Sequence, residues 1–130
     1  MIVVAAVIEK QGRILVCQRK RGARHALKWE FPGGKVEHGE EPRAALAREL
    51  REELDIGAQI GEEMVRYEHS YSGRDPILLI FFRVTEFSGV PANIVFEKFE
   101  WSSHASLPGY DFLDGDLDFV RRLARGEYAD

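Results

Sequence analysis

The chain has 130 residues, 45% of them apolar and 31% charged, with a formal charge of −4 and a pI near 5.6. This length predicts a single domain over residues 1–130, and the composition excludes disordered and fibrous classes. The acidic balance opposes attraction to polymeric nucleic acid or an anionic membrane, and no apolar run approaches the roughly 20 residues that span a bilayer.

"IVVAAVIE" (2–9) and "RILVCQR" (13–19) flank a glycine-containing turn and predict a β-hairpin. The first run has no basic segment before it, so it reads as a strand rather than a signal peptide, and a cytoplasmic protein is expected. Cys17, the lone cysteine, reads as a small buried hydrophobe. "KRGARHALKWEFPGGK" lacks a period and predicts a loop with a short strand around Trp29 to Phe31. Pro42 to Asp55 predicts a helix, with proline in its first turn and strong helix formers after it. "AQIGEEMVRYEHSYS" and "PILLIFFRVTEF" each predict a strand, the second apolar enough for the middle of a sheet. "FEKFEWSS" (96–103) alternates with period two, and "GDLDFVRRLARG" predicts an amphipathic closing helix. This order predicts an α+β or α/β domain with a mixed sheet covered by helices.

The chemistry concentrates around the first helix. Leu46, Leu50 and Leu54, with Ala47, are expected on one side, and Glu49, Glu52 and Glu53 on nearly the opposite side. Like charges three and four residues apart destabilise a helix, whereas a hard divalent cation needs such oxygen donors. "PGGK" just before it supplies backbone able to approach a ligand closely and a lysine able to pair with phosphate. It is not a Walker loop, because Val36 follows Lys35 where Ser or Thr is required. Five basic residues, Arg19, Lys20, Arg21, Arg24 and Lys28, gather in the loop after the second strand. "LPGYDFLDGD" offers Tyr110 and Phe112 for stacking on a base or for packing, and Asp114 and Asp116 for its edge or for capping the last helix. His25, His38, His69 and His104 show no metal-ligand spacing.

Gly34, Glu40 and the run Arg48, Glu49, Leu50, Arg51, Glu52, Glu53, Leu54, Asp55, Ile56 resemble the Nudix box, matching eight of its nine specified positions. The departure is Asp55, where the pattern has glycine; aspartate tolerates left-handed backbone better than most residues. "VVAAVIEKQGRILVCQR", "WEFPGGKVE" and "EWSS" extend the likeness to the MutT-like branch.

The resemblance implies an α/β/α sandwich and Mg²⁺-dependent hydrolysis, with Mn²⁺ as a substitute, of a nucleoside diphosphate linked to another group. For MutT-like members a triphosphate becomes a monophosphate and pyrophosphate, here on modified purine or cytidine-type nucleotides. Hydrolysis of another nucleoside diphosphate derivative such as ADP-ribose, or nucleotide binding without turnover, are the alternatives. Residue by residue, the likeness implies Glu52 and Glu53 as metal ligands and Glu49 as a ligand or an aid to water activation. Arg48 would orient a box carboxylate, Glu40 would support it, and Gly34 would offer backbone to metal or phosphate. Arg19 and Lys35 would contact phosphate, Glu97 or Glu100 would assist from a late loop, and Asp116 would read the base.

Overall fold

The computed structural model describes residues 1–129. In chain order its elements are β1 (Ile2–Lys10), β2 (Arg13–Gln18), β3 (Trp29–Glu30), β4 (Gly33–Lys35), α1 (Pro42–Leu54), β5 (Gly57–Gln59), β6 (Glu63–His69), β7 (Ile77–Val84), β8 (Glu86–Ser88), β9 (Lys98–Ser103) and α2 (Leu117–Ala124). Short 3-10 turns at Leu107–Gly109 and Asp114–Asp116 precede α2.

The hub of the mixed sheet is β1, whose residues Val4, Ala5, Ala6, Val7 and Ile8 are all buried. It runs parallel to β7, from Ile2 opposite Leu78 to Ile8 opposite Val84, and β6 pairs antiparallel beyond β7. Its other edge is shared: β4 pairs with Val3 to Ala5, and β2 takes over at Glu9 and Lys10. Along β2 lie β3 and β9. Alternation along β1 divides the core, because successive side chains point to opposite faces. Val4, Ala6 and Ile8 pack with Leu46, Leu50 and Leu54 of α1, whereas Ala5 and Val7 pack with Phe119, Val120 and Leu123 of α2. One helix therefore covers each face, and each α1 leucine so buried stabilises by roughly 2 kcal/mol.

Several boundaries differ from the sequence expectation. The run 58–72 breaks at Gly61, whose amide bonds the Arg83 carbonyl at 2.8 Å and where a Cβ would lie 2.6 Å from that same oxygen. The run 76–87 breaks at Thr85, and β8 pairs with β5 in a separate ribbon. Gly33–Lys35, expected as loop, is a strand on β1. A Cβ at Gly33 would meet the Val4 carbonyl oxygen at 2.0 Å, so only glycine permits this approach. On α1, Ala45 rather than Ala47 is fully buried with the leucines. Glu53 follows Leu46 by seven residues, two helical turns, so it lies beside the apolar stripe and not opposite it.

The end of α1 is held by backbone. Asp55 adopts the left-handed region at φ 56° and ψ 41°, with its amide on the Arg51 carbonyl at 3.1 Å. Ala92 and Ile94, from the segment after β8, donate their amides to the Leu54 and Glu53 carbonyls at 2.8 and 3.2 Å. Positive φ strains any side-chain-bearing residue, so Asp55→Gly is expected to stabilise the fold by on the order of 1 kcal/mol. Thermal denaturation should show a melting temperature raised by a few degrees, with turnover close to the parent value; a gain of orders of magnitude in turnover would place Asp55 in the chemistry instead. Among the described residues no helix is long and apolar enough to cross a membrane.

Candidate active site

Arg48 organises the carboxylates of α1. Its Nε and Nη2 donate to the two Glu40 carboxylate oxygens at 2.8 and 3.0 Å, a two-pronged pairing that fixes the guanidinium plane. Nη1 then reaches Glu49 at 2.9 Å and Glu52 at 3.3 Å, and Nη2 also meets the Lys35 carbonyl at 3.3 Å. Glu40 accepts the Glu37 amide as well, at 3.1 Å. One arginine thus ties the segment after β4 to the helix and aims two of its glutamates.

Gly34 leaves room for one of those glutamates. A Cβ there would lie 2.5 Å from the Glu49 carboxyl carbon. The neighbouring Gly33 amide donates to Glu53 Oε1 at 3.2 Å. Burial, contact with Glu49 and the negative charge of Glu30 push the Glu53 carboxyl well above the ordinary carboxylate range. Two glutamates held together in a half-buried position are mutually repulsive unless a proton or a cation lies between them.

This donor set fits a hard divalent cation. Among the described residues no three His, Cys, Asp or Glu side chains converge tightly enough to chelate a metal unaided. Mg²⁺ does not need three, since it is commonly held by one or two carboxylates and completes its octahedron with water and substrate phosphate. Glu49 and Glu53 can supply that pair, while Glu52 sits further out with its side chain 56% exposed.

Glu53 opens onto a cleft of about 950 Å³ that also receives Gly33, Gly34, Lys35, Arg19, Lys20, Arg24, Arg74 and Asp116. Arg19 is braced, donating Nε to the Arg24 carbonyl at 2.7 Å and Nη1 to Glu30 at 3.1 Å. Glu30 itself is raised by burial, an effect that Arg19 opposes. Asp116 is only 6% exposed, and burial together with the Glu30 charge pushes its carboxyl up to about 8.

Folded Asp116 thus keeps its proton across a range in which the unfolded chain, titrating near 4, has lost it. Its contribution to stability is complete below about pH 4 and is lost progressively as pH rises through about 8. Asp116→Asn should flatten this slope and leave the variant the more stable at pH 8–9; parallel wild-type and variant curves in urea titrations across pH 4–9 would refute it.

The other sequence candidates lie apart from the cleft lining. Phe112 is 1% exposed in the core against Phe31, and Tyr110 stands edge-on to Trp29 while donating its hydroxyl to Glu100 at 3.0 Å. Glu97 is exposed and accepts the Arg21 amide at 3.2 Å. The cleft also contains Glu30, Tyr71, Arg74 and His25, none of which the sequence singled out as a site residue. Three of them had local signals: Glu30 is a charge between the aromatics Trp29 and Phe31, and Tyr71 and Arg74 lie in "SYSGRDP", a glycine- and proline-punctuated stretch at the end of an expected strand.

Known proteins resemble this chain in sequence and in fold. A family model described as NUDIX domain matches residues 1–123. The chain is 41% identical over 118 residues to an Escherichia coli CTP pyrophosphohydrolase, covering 91% of this chain and 87% of that protein. It is 33% identical over 124 residues to an Escherichia coli 8-oxo-dGTP diphosphatase, covering 95% of each. The solution structure of the Escherichia coli ORF135 protein superimposes with a TM-score of 0.86 at 38% identity, covering 98% of this chain and 91% of that one.

Proposed function

Since the chain belongs to the Nudix family of hydrolases, we propose that it cleaves nucleoside triphosphates to a monophosphate and pyrophosphate, with Mg²⁺ as cofactor and cytidine-type nucleotides preferred. The observation that carries this reading is a single cleft bordered both by Glu53, Gly34 and Lys35 and by Asp116. Groups suited to a polyphosphate and a group suited to a base edge thereby face the same ligand. All 130 residues act as one domain in the cytoplasm, with a small nucleotide rather than a polymer or membrane as partner.

When bound, the cation neutralises polyphosphate charge and lowers the pKa of the attacking water. Glu53 holds it, fixed by the Gly33 amide. Glu49, aimed by Arg48, either completes the ligand set or accepts the water's proton. Glu52 approaches the same end through its own Arg48 contact. Lys35 pairs with phosphate, and Arg19 adds its Nη2, which its bonds to Glu30 and Arg24 leave free. Glu97 is the better late-loop helper, because it directly follows Val95 and Phe96, which border the cleft, whereas Glu100 lies further along β9.

Near neutral pH the protonated Asp116 offers a donor beside an acceptor, which complements the amino group and adjacent ring nitrogen of cytosine. Tyr110 and Phe112 back this wall: Phe112 bridges to Trp29, and the Trp29 amide donates to the Asp111 carbonyl at 2.9 Å. Likeness to the CTP pyrophosphohydrolase supports the cytidine preference, and likeness to the 8-oxo-dGTP diphosphatase supports oxidised purines as the second reading. The test is a Mg²⁺-dependent hydrolysis panel over ordinary and oxidised nucleoside triphosphates plus ADP-ribose, with products identified by mass. Monophosphate and pyrophosphate from the triphosphates support the reading; turnover of ADP-ribose alone, or binding without products, overturns it.

A further inference from the structure

The turn that bears Asp116 is clamped through its neighbour Gly115 by two tyrosines. The Tyr67 hydroxyl donates to the Gly115 carbonyl at 2.6 Å, and the Gly115 amide donates to the Tyr71 hydroxyl oxygen at 3.3 Å. A side chain at Gly115 would displace this contact, since a Cβ would lie 2.8 Å from that Tyr71 hydroxyl and 3.1 Å from His69 Cδ2. The Tyr71 ring stands edge-on to His69 at 4.5 Å and tilts onto His25, from the basic loop after β2, at 5.0 Å. Tyr71, His25 and Asp116 border the same cleft. Tyr71 is therefore the point where the basic loop, the end of β6 and the Asp116 turn meet.

We propose that Tyr71 is a positioning residue that sets base specificity by fixing the Asp116 turn through Gly115; this rests on the base-reading role given to Asp116 above. The reason lies in carboxyl chemistry. A protonated carboxyl presents a donor beside an acceptor and can present them in either order. It can pair with the amino and ring-nitrogen edge of cytosine, or, turned over, with the carbonyl and N–H edge of uracil. Hydrogen-bond type alone does not separate these bases. What separates them is which carboxyl oxygen carries the proton, and a turn anchored in one orientation gives the two oxygens fixed and different surroundings.

The test measures kcat/KM for cytidine and uridine triphosphates in the full chain and in Tyr71→Phe, Tyr67→Phe and Asp116→Ala. Tyr71→Phe keeps the ring and removes only the hydroxyl that Gly115 uses. It should raise KM for cytidine triphosphate about fivefold and shrink the cytidine-to-uridine ratio by about five- to tenfold, as expected when a specificity contact loses its fixed position. Tyr67→Phe, which releases the other side of Gly115, should shift the ratio in the same direction. A fall of equal size for both nucleotides marks a structural role and overturns the inference. A ratio that collapses in Asp116→Ala but persists in Tyr71→Phe also overturns it, leaving the base assignment standing. A wild-type ratio near one, or one that survives Asp116→Ala, overturns the base assignment and the inference with it.

Discussion

Glu53→Gln is expected to lower Mg²⁺-dependent hydrolysis by about 10³-fold or more, because it removes an anionic oxygen donor from a site that depends on charge. The fold should survive. Glutamine keeps the shape of the side chain and its acceptor for the Gly33 amide, and it relieves the repulsion that raises the Glu53 carboxyl. Steady-state kinetics with calorimetric titration of Mn²⁺ or Mg²⁺ would check both halves, since metal affinity should fall with the rate while the circular dichroism spectrum stays native. Turnover within a few-fold of the parent would remove Glu53 from the mechanism.

Arg48→Lys should lower kcat by about 10²-fold even though the positive charge is retained, because an ammonium cannot reproduce the planar fork. A lysine can meet Glu40 or Glu49 but cannot span Glu40, Glu49, Glu52 and the Lys35 carbonyl as the guanidinium does. The loss should fall mainly on kcat, since Arg48 does not border the cleft and acts by aiming carboxylates. Stability should fall only slightly, because solvent-exposed ion pairs contribute little. A rise in KM with kcat intact would instead indicate that Arg48 binds phosphate directly.

The helix carrying these residues was legible because two independent signals coincide there. Its leucines repeat with helical period, and the spacing from Gly34 through Ile56 is long enough to be specific. The left-handed conformation at Asp55 followed from the same pattern. The placing of Glu53 did not follow, because Glu49, Glu52 and Glu53 were grouped by chemistry, whereas helical geometry sets Glu53 beside Leu46 and Leu50. That difference has chemical weight, since closeness to the core is what buries Glu53. The strand break at Thr85 was hidden in a run rich in strand formers, whereas the break at Gly61 had a local signal in that glycine and the two glutamates after it. The far side of the cleft was least legible. Glu30 affects both Glu53 and Asp116, and Tyr71 meets Gly115 only after β3, β6 and the last 3-10 turn have packed together. Such meetings have no local period to betray them.

The backbone at the end of α1 has a consequence for how this enzyme can be watched. The Glu53 carbonyl accepts the Ile94 amide, so one residue borders the cleft through its side chain and an outer segment through its main chain. Exchange of the Ile94 amide with deuterated solvent therefore reports the opening of that helix end directly. Ile94 is 52% exposed, and its amide relies on this carbonyl bond rather than on a shield of packed side chains. Slowed exchange on nucleotide addition would provide a label-free clock for occupancy of the cleft, read from a residue outside its lining.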